Sequence, residues 1–112
     1  MRRVAVLLML LASPASAHAI LVDSTPAPNA HIKPGTLTVT MRYNSRIDAA
    51  RSKLTLAVVG QTPQRLHATA SGADELQATT TVARDEYILR WQVLALDGHI
   101  TRGDVPFTVD TP

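Results

Sequence analysis

Between positions 36 and 43 the chain reads Thr-Leu-Thr-Val-Thr-Met-Arg-Tyr, and this alternation constrains the fold more than any other feature. A period of two puts Leu37, Val39, Met41 and Tyr43 on one side of an extended strand and Thr36, Thr38, Thr40 and Arg42 on the other. The pattern returns in Leu54, Leu56 and Val58, in Tyr87, Leu89, Trp91 and Val93, and in Val105, Phe107 and Val109. Weaker versions run from Ala19 to Asp23, Gln64 to Thr69 and Glu75 to Val82. Turn chemistry separates them: Pro26-Ala27-Pro28-Asn29, Lys33-Pro34-Gly35, Gly60-Gln61-Thr62-Pro63, Ser71-Gly72-Ala73-Asp74 and Asp97-Gly98. About seven short strands in so little chain predict an all-β domain, a seven-stranded Greek-key sandwich or barrel of immunoglobulin-like form. The Ala49-Ala50-Arg51 stretch admits a helical turn, but no helix of ordinary length is expected, nor a second domain or repeat.

The first seventeen residues follow a different logic. Met1-Arg2-Arg3 leads into the nine apolar residues 4–12, then Ser13-Pro14 and the small-residue triplet Ala15-Ser16-Ala17. A charged head, an apolar middle and an A-x-A end make a cleavable secretory signal. Nine apolar residues fall short of the roughly 20 that a spanning helix needs. Residues 1–17 are therefore expected to be removed on export, leaving a soluble domain of residues 18–112 that begins at His18 and is not inserted in the membrane.

The formal charge of +2 is carried by Arg2 and Arg3. Residues 18–112 hold nine Lys+Arg against nine Asp+Glu, so net charge gives no warrant for nucleic acid or an anionic membrane as partner. The chain has no cysteine, which removes disulfides, thiolate zinc sites and cysteine nucleophiles together. No G-x-S-x-G or similar nucleophile motif occurs, so hydrolase chemistry has no foothold.

Cleavage after Ala17 would change what His18 can do. A free α-amine and the imidazole Nδ1 of one residue can close a six-membered chelate ring on a metal, whereas an internal histidine offers only its ring. The two groups titrate near about 8 and about 6.5 when unperturbed, so a metal displaces their protons readily. Amine and imidazole nitrogens suit Cu(II) in a tetragonal set of N and O ligands. The alternative is that His18 is merely where the domain begins. A second feature is Asp97-Gly98-His99, between the Trp91-bearing strand and the last strand. One carboxylate and one imidazole added to the two nitrogens of His18 make an N3O set. Read alone, Asp-Gly is a turn with His99 exposed beside it. A Greek-key arrangement can bring the first and last strands together, which would unite the two features.

With these residues in view, "HAILVDSTPAPNAHIKPG" at the start and "YILRWQVLALDGHITRGDVPFTV" at the end resemble the CopC/PcoC family of periplasmic copper-resistance proteins, across essentially all of residues 18–112. The resemblance implies a Greek-key β-fold and a periplasmic, non-enzymatic monomer that sequesters copper or passes it to a membrane partner of the CopD type. It also implies Cu(II) held by His18, Asp97 and His99. Two departures stand out. Some members carry a methionine-rich loop for Cu(I), but here Met1 and Met9 lie in the signal and Met41 on the apolar side of a strand, so such a site is not expected. Many members place an acidic residue after the strand matching 37–43, where this chain reads Asn44-Ser45-Arg46.

The other candidates weigh less. His31 and His67 are expected to be solvated, Trp91 to lie in the core, and Asp104 to face water. The rival classes are a copper oxygenase built on an N-terminal histidine chelate, which would need exposed aromatics for a substrate, and a metal-free immunoglobulin-like interaction module.

Overall fold

The computed structural model describes residues 18–112; the expected signal, 1–17, lies outside the described residues. Nine strands follow in order: β1 (Leu21–Thr25), β2 (Ala30–Ile32), β3 (Gly35–Tyr43), β4 (Ile47–Val58), β5 (Gln64–Leu66), β6 (Thr69–Gly72), β7 (Glu75–Val82), β8 (Asp85–Ala95) and β9 (Ile100–Val109). They form a four-stranded sheet, β1-β3-β7-β6, facing a five-stranded sheet, β2-β9-β8-β4-β5. Every pairing is antiparallel except that of β2 with β9. The all-β sandwich expected from the alternation is the fold found, with nine strands where seven were expected.

The alternation places the core. Leu37, Val39, Met41 and Tyr43 point inward from β3, and Tyr87, Leu89, Trp91 and Val93 face them from β8, all buried. Val105, Phe107 and Val109 close the same layer from β9. Burying one such side chain stabilises the fold by about 1.5–3 kcal/mol, so the shared layer between the sheets dominates stability. Tyr43 meets Trp91 edge-on across the sheets at 5.2 Å between ring centroids, and Tyr87 stacks on Phe107 at the same separation. Gly103 sits opposite Trp91 in the β8–β9 ladder, and a Cβ there would lie 2.5 Å from the indole, so only glycine admits the ring.

Three local differences from the sequence expectation have physical causes. The Ala49-Ala50-Arg51 stretch is strand, not a helical turn. Asp48 pairs with Leu94 and Lys53 with Gln92, so residues 49–52 bulge opposite Val93 alone. Ser52 repairs the bulge: its buried hydroxyl donates to the Asp48 carbonyl at 2.7 Å and accepts from the Leu94 N–H at 3.1 Å. The stretch expected from Gln64 to Thr69 divides into β5 and β6, which belong to different sheets, with the crossing at His67-Ala68. Finally, β2 is only three residues long, too short to show a period. Backbone bonds at both ends hold it, Asn29 N–H to the Pro106 carbonyl and Asp110 N–H to the Ile32 carbonyl.

The two buried tyrosines differ in how their hydroxyls are met. The Tyr87 hydroxyl donates to the Ala83 carbonyl at 2.7 Å and accepts from the Ala83 N–H at 3.2 Å. The Tyr43 hydroxyl is fully buried with no partner among the described residues, and burial pushes its pKa above the ordinary tyrosine range. An unmet buried hydroxyl costs about 1–3 kcal/mol. Tyr43→Phe is therefore expected to leave stability unchanged or raise it, while Tyr87→Phe lowers it by about 1–2 kcal/mol. Urea unfolding of the two variants checks this, and a clear loss for Tyr43→Phe would contradict it.

Candidate metal centre

The β8–β9 hairpin turns through residues 96–99. The Gly98 N–H donates to the Ala95 carbonyl and the Ala95 N–H to the His99 carbonyl, both at 2.9 Å. This closure needs the left-handed backbone at Gly98, φ +93°, which glycine adopts without a Cβ penalty. Asp97 then grips the residue two ahead of it. Its Oδ1 accepts the His99 N–H at 3.0 Å, and its Oδ2 meets the His99 Nδ1 at 2.9 Å.

One carboxylate thereby sets both the backbone and the ring of His99. With the Nδ1 proton directed at Asp97, the lone pair of the neutral ring lies on Nε2, the arrangement in which a carboxylate orients a metal-binding imidazole. The His99 backbone N–H is the largest influence and holds the Asp97 carboxyl below its usual range; desolvation opposes it, and the ring hydrogen bond and the charges of His99 and His18 add smaller downward pulls.

The start of the described chain is fastened to this hairpin. Ala19 is fully buried, and its carbonyl accepts the Thr101 hydroxyl at 2.7 Å. The next residue is clamped twice by Asn44: the Ile20 N–H donates to Asn44 Oδ1 at 2.8 Å, and the Asn44 N–H to the Ile20 carbonyl at 3.0 Å. His18 emerges from this anchored pair with its ring 4.8 Å from that of His99, edge-on at 78°. The fold thus brings His18, Asp97 and His99 to one exposed end of the sandwich, flanked by the exposed apolar side chains of Ile20, Leu96 and Ile100.

The three do not form a ready-made ligand cage. No three His, Cys, Asp or Glu side chains stand at metal-ligating spacing among the described residues, and both Asp97 oxygens are engaged by His99. Two imidazoles meet edge-on, and the carboxylate is bonded to Nδ1 of one of them. Sequence reasoning missed Thr101, whose hydroxyl ties the two ends; its only signal is its place on the inward turn of the strand leaving the Asp97-Gly98-His99 motif. Asn44, noted as a departure from the expected acid, supplies a neutral acceptor in that position.

The remaining candidates lie where expected or nearly so. His31 is solvated, as expected, and sits on β2, with its Nδ1 3.0 Å from Asp110 just past the far end of β9. His67 is exposed at the β5–β6 crossing. Trp91 and Met41 are in the core, and exposed Asp104 lies 3.7 Å from Arg90.

Because the folded pKa of Asp97 is depressed, its grip on His99 stabilises the hairpin above the unfolded carboxyl value and is lost as pH falls through the folded one. A carboxyl titration followed by NMR should place the Asp97 midpoint below 3.8, with the His99 amide shift following the same curve. A midpoint at or above 3.8 would contradict the hydrogen-bonded hairpin.

Comparison with known proteins follows the same lines. The CopC domain family model matches residues 21–110. No curated protein sequence matches the chain. Among solved structures, CopC from Methylosinus trichosporium OB3b is 26% identical with a TM-score of 0.73, covering 83% of this chain and 94% of its own. PcoC from Escherichia coli, described as a methionine-rich copper resistance protein, shares the fold at 21% identity and a TM-score of 0.64, covering 84% of this chain and all of its own. With a family model spanning most of the chain and strands, hairpin and anchored start all in place, the chain belongs to the CopC domain family.

Proposed function

We propose that this protein is an exported, periplasmic copper-resistance protein that binds Cu(II) at the His18 end of the sandwich and sequesters it or hands it to a membrane partner. The observation that carries this reading is the approach of the His18 and His99 rings to 4.8 Å with Asp97 seated on His99. The copper named in the descriptions of related proteins agrees with it.

In this reading, signal removal after Ala17 exposes the α-amine, and His18 binds through that amine and Nδ1. His99 adds an imidazole nitrogen. Asp97 orients His99 through its ring proton and is the nearest carboxylate for the remaining position. Nitrogen donors in this number favour Cu(II), and each must shed its proton, so binding weakens as pH falls below the amine and imidazole values. Thr101 and Asn44 act on His18 through Ala19 and Ile20: they fix the chain from which the chelate projects. The copper oxygenase reading has less support, because all four aromatic residues of the chain, Tyr43, Tyr87, Trp91 and Phe107, are committed to the core.

Two measurements test the proposal. Mass spectrometry of the exported protein should give a start at His18, and a variant with one alanine ahead of His18 should lose tight Cu(II) binding in a competition titration. Unchanged affinity in that variant would refute the chelate. Thr101→Val, which removes the hydroxyl while keeping the shape, should weaken Cu(II) by about 10- to 100-fold and alter the copper electron paramagnetic resonance spectrum. A loss of fold stability with an unchanged spectrum and affinity would assign Thr101 a structural role only.

A further inference from the structure

The nine cations and nine acids of residues 18–112 cancel, but the fold does not spread them evenly. On the outward face of the five-stranded sheet the registers set Lys53, Gln92 and Arg102 in one row and Arg65, Thr55, Arg90 and Asp104 in the next. All four cations are exposed, against one carboxylate. Between the rows lies a depression of about 320 Å³ lined by Lys53, Arg90, Gln92, Arg102 and Asp104. Its cations are partly ordered. The Arg102 Nε donates to Gln92 Oε1 at 2.7 Å, which fixes the stem and leaves the terminal nitrogens to a ligand. Arg90 meets Asp104 at 3.7 Å with both side chains about half exposed, a contact too long and too solvated to neutralise it firmly.

We propose that this depression docks a short acidic segment of a protein partner, whose carboxylates pair with Arg102, Lys53 and Arg90. Arginine's planar fork recognises carboxylates in a bidentate manner, and a concave site a few side chains wide suits a peptide segment. A planar anionic bilayer fits poorly, because the opposite end of the same outward face carries Glu86, with Asp110 beside His31 at the edge of the sheet. A membrane lying across the sheet would meet these acids, whereas a segment a few residues long would not. Location adds a use. Arg102 is three residues from His99 along the strand, about 10 Å, with exposed Ile100 between them. A partner held here would stand beside His18 and His99; this purpose rests on the copper reading, although the docking itself does not.

The test uses the exported protein, labelled with nitrogen-15, and a synthetic twelve-residue peptide of alternating Glu and Ser, with a Gln/Ser peptide as control. At low salt the Glu peptide should shift the amides of Lys53, Arg90, Gln92 and Arg102 and the Gln peptide should not. Lys53→Glu combined with Arg102→Glu should weaken that binding by at least about tenfold, since like charges then face each other. The milder Lys53→Gln should give an intermediate loss, with amide dispersion confirming the fold of both. Cu(II) titration of the double variant should be unchanged, so that failure of the docking face and failure of the copper site are read separately. Equal binding of the Gln peptide, shifts confined to other surfaces, or retention on phosphatidylglycerol vesicles without a peptide response would each overturn the proposal.

Discussion

At the His18 end a buried carbonyl ties the start of the described chain to the opposite sheet. Ala19 enters the first sheet fully buried, and its carbonyl accepts the hydroxyl of Thr101 from the last strand of the second sheet. A hydrogen bond of this kind contributes about 0.5–1.5 kcal/mol net, but leaving the carbonyl unmet would cost more, so the contact fixes geometry more strongly than its own energy implies. Asn44 then holds the next residue on both of its backbone groups. With both residues after it fastened, the point from which His18 projects is fixed beside the hairpin. The approach of the two imidazoles follows from backbone held in a packed core, and the exposed loop contributes only the other partner.

That other partner is also determined from behind. Asp97 spends both oxygens on His99, one on the backbone and one on the ring. The hairpin's shape is therefore held by its own hydrogen bonds, and a ligand would meet an imidazole whose orientation is already chosen. Such pre-ordering lowers the entropic cost of binding. In the proposed copper reading, the acid side of the pH profile would then be a property of the loop as well as of the nitrogens, since a protonated Asp97 loses its hold on the ring.

Much of the sandwich was legible because burial on one face of a strand writes itself as a period of two. Leu37 to Tyr43, Tyr87 to Val93 and Val105 to Val109 all proved to be core faces. Where the period is broken or too short, the reading failed. The alanines of 49–50 suggested a helical turn, but the long ladder with β8 absorbs them as a bulge capped by Ser52. Ala30–Ile32 carries too few residues for any period, and its place beside β9 depends on backbone bonds that no side chain reports. The division between β5 and β6 likewise depends on which sheet each can pair with, which is a non-local choice.

The chemistry of the candidate site divides along the same line. His18 behind a signal-like segment, and an Asp and a His flanking a turn glycine, are local features of the sequence, so residue types and spacing alone singled out these three positions. Their meeting is not local, because it requires the first and last strands of the domain to be neighbours at one end and Thr101 and Asn44 to hold them there. Charge behaves in the same way. The balance of nine cations and nine acids is read directly from the chain, whereas the gathering of Lys53, Arg65, Arg90 and Arg102 on one face comes from strand registers that pair residues far apart in sequence. Sequence by itself determined the strands with an unbroken period, their core faces and the candidate donor groups, since each depends on neighbours a few residues away. Tertiary structure alone decided which donors and charges share a surface, because packing two sheets on a common core sets those distances.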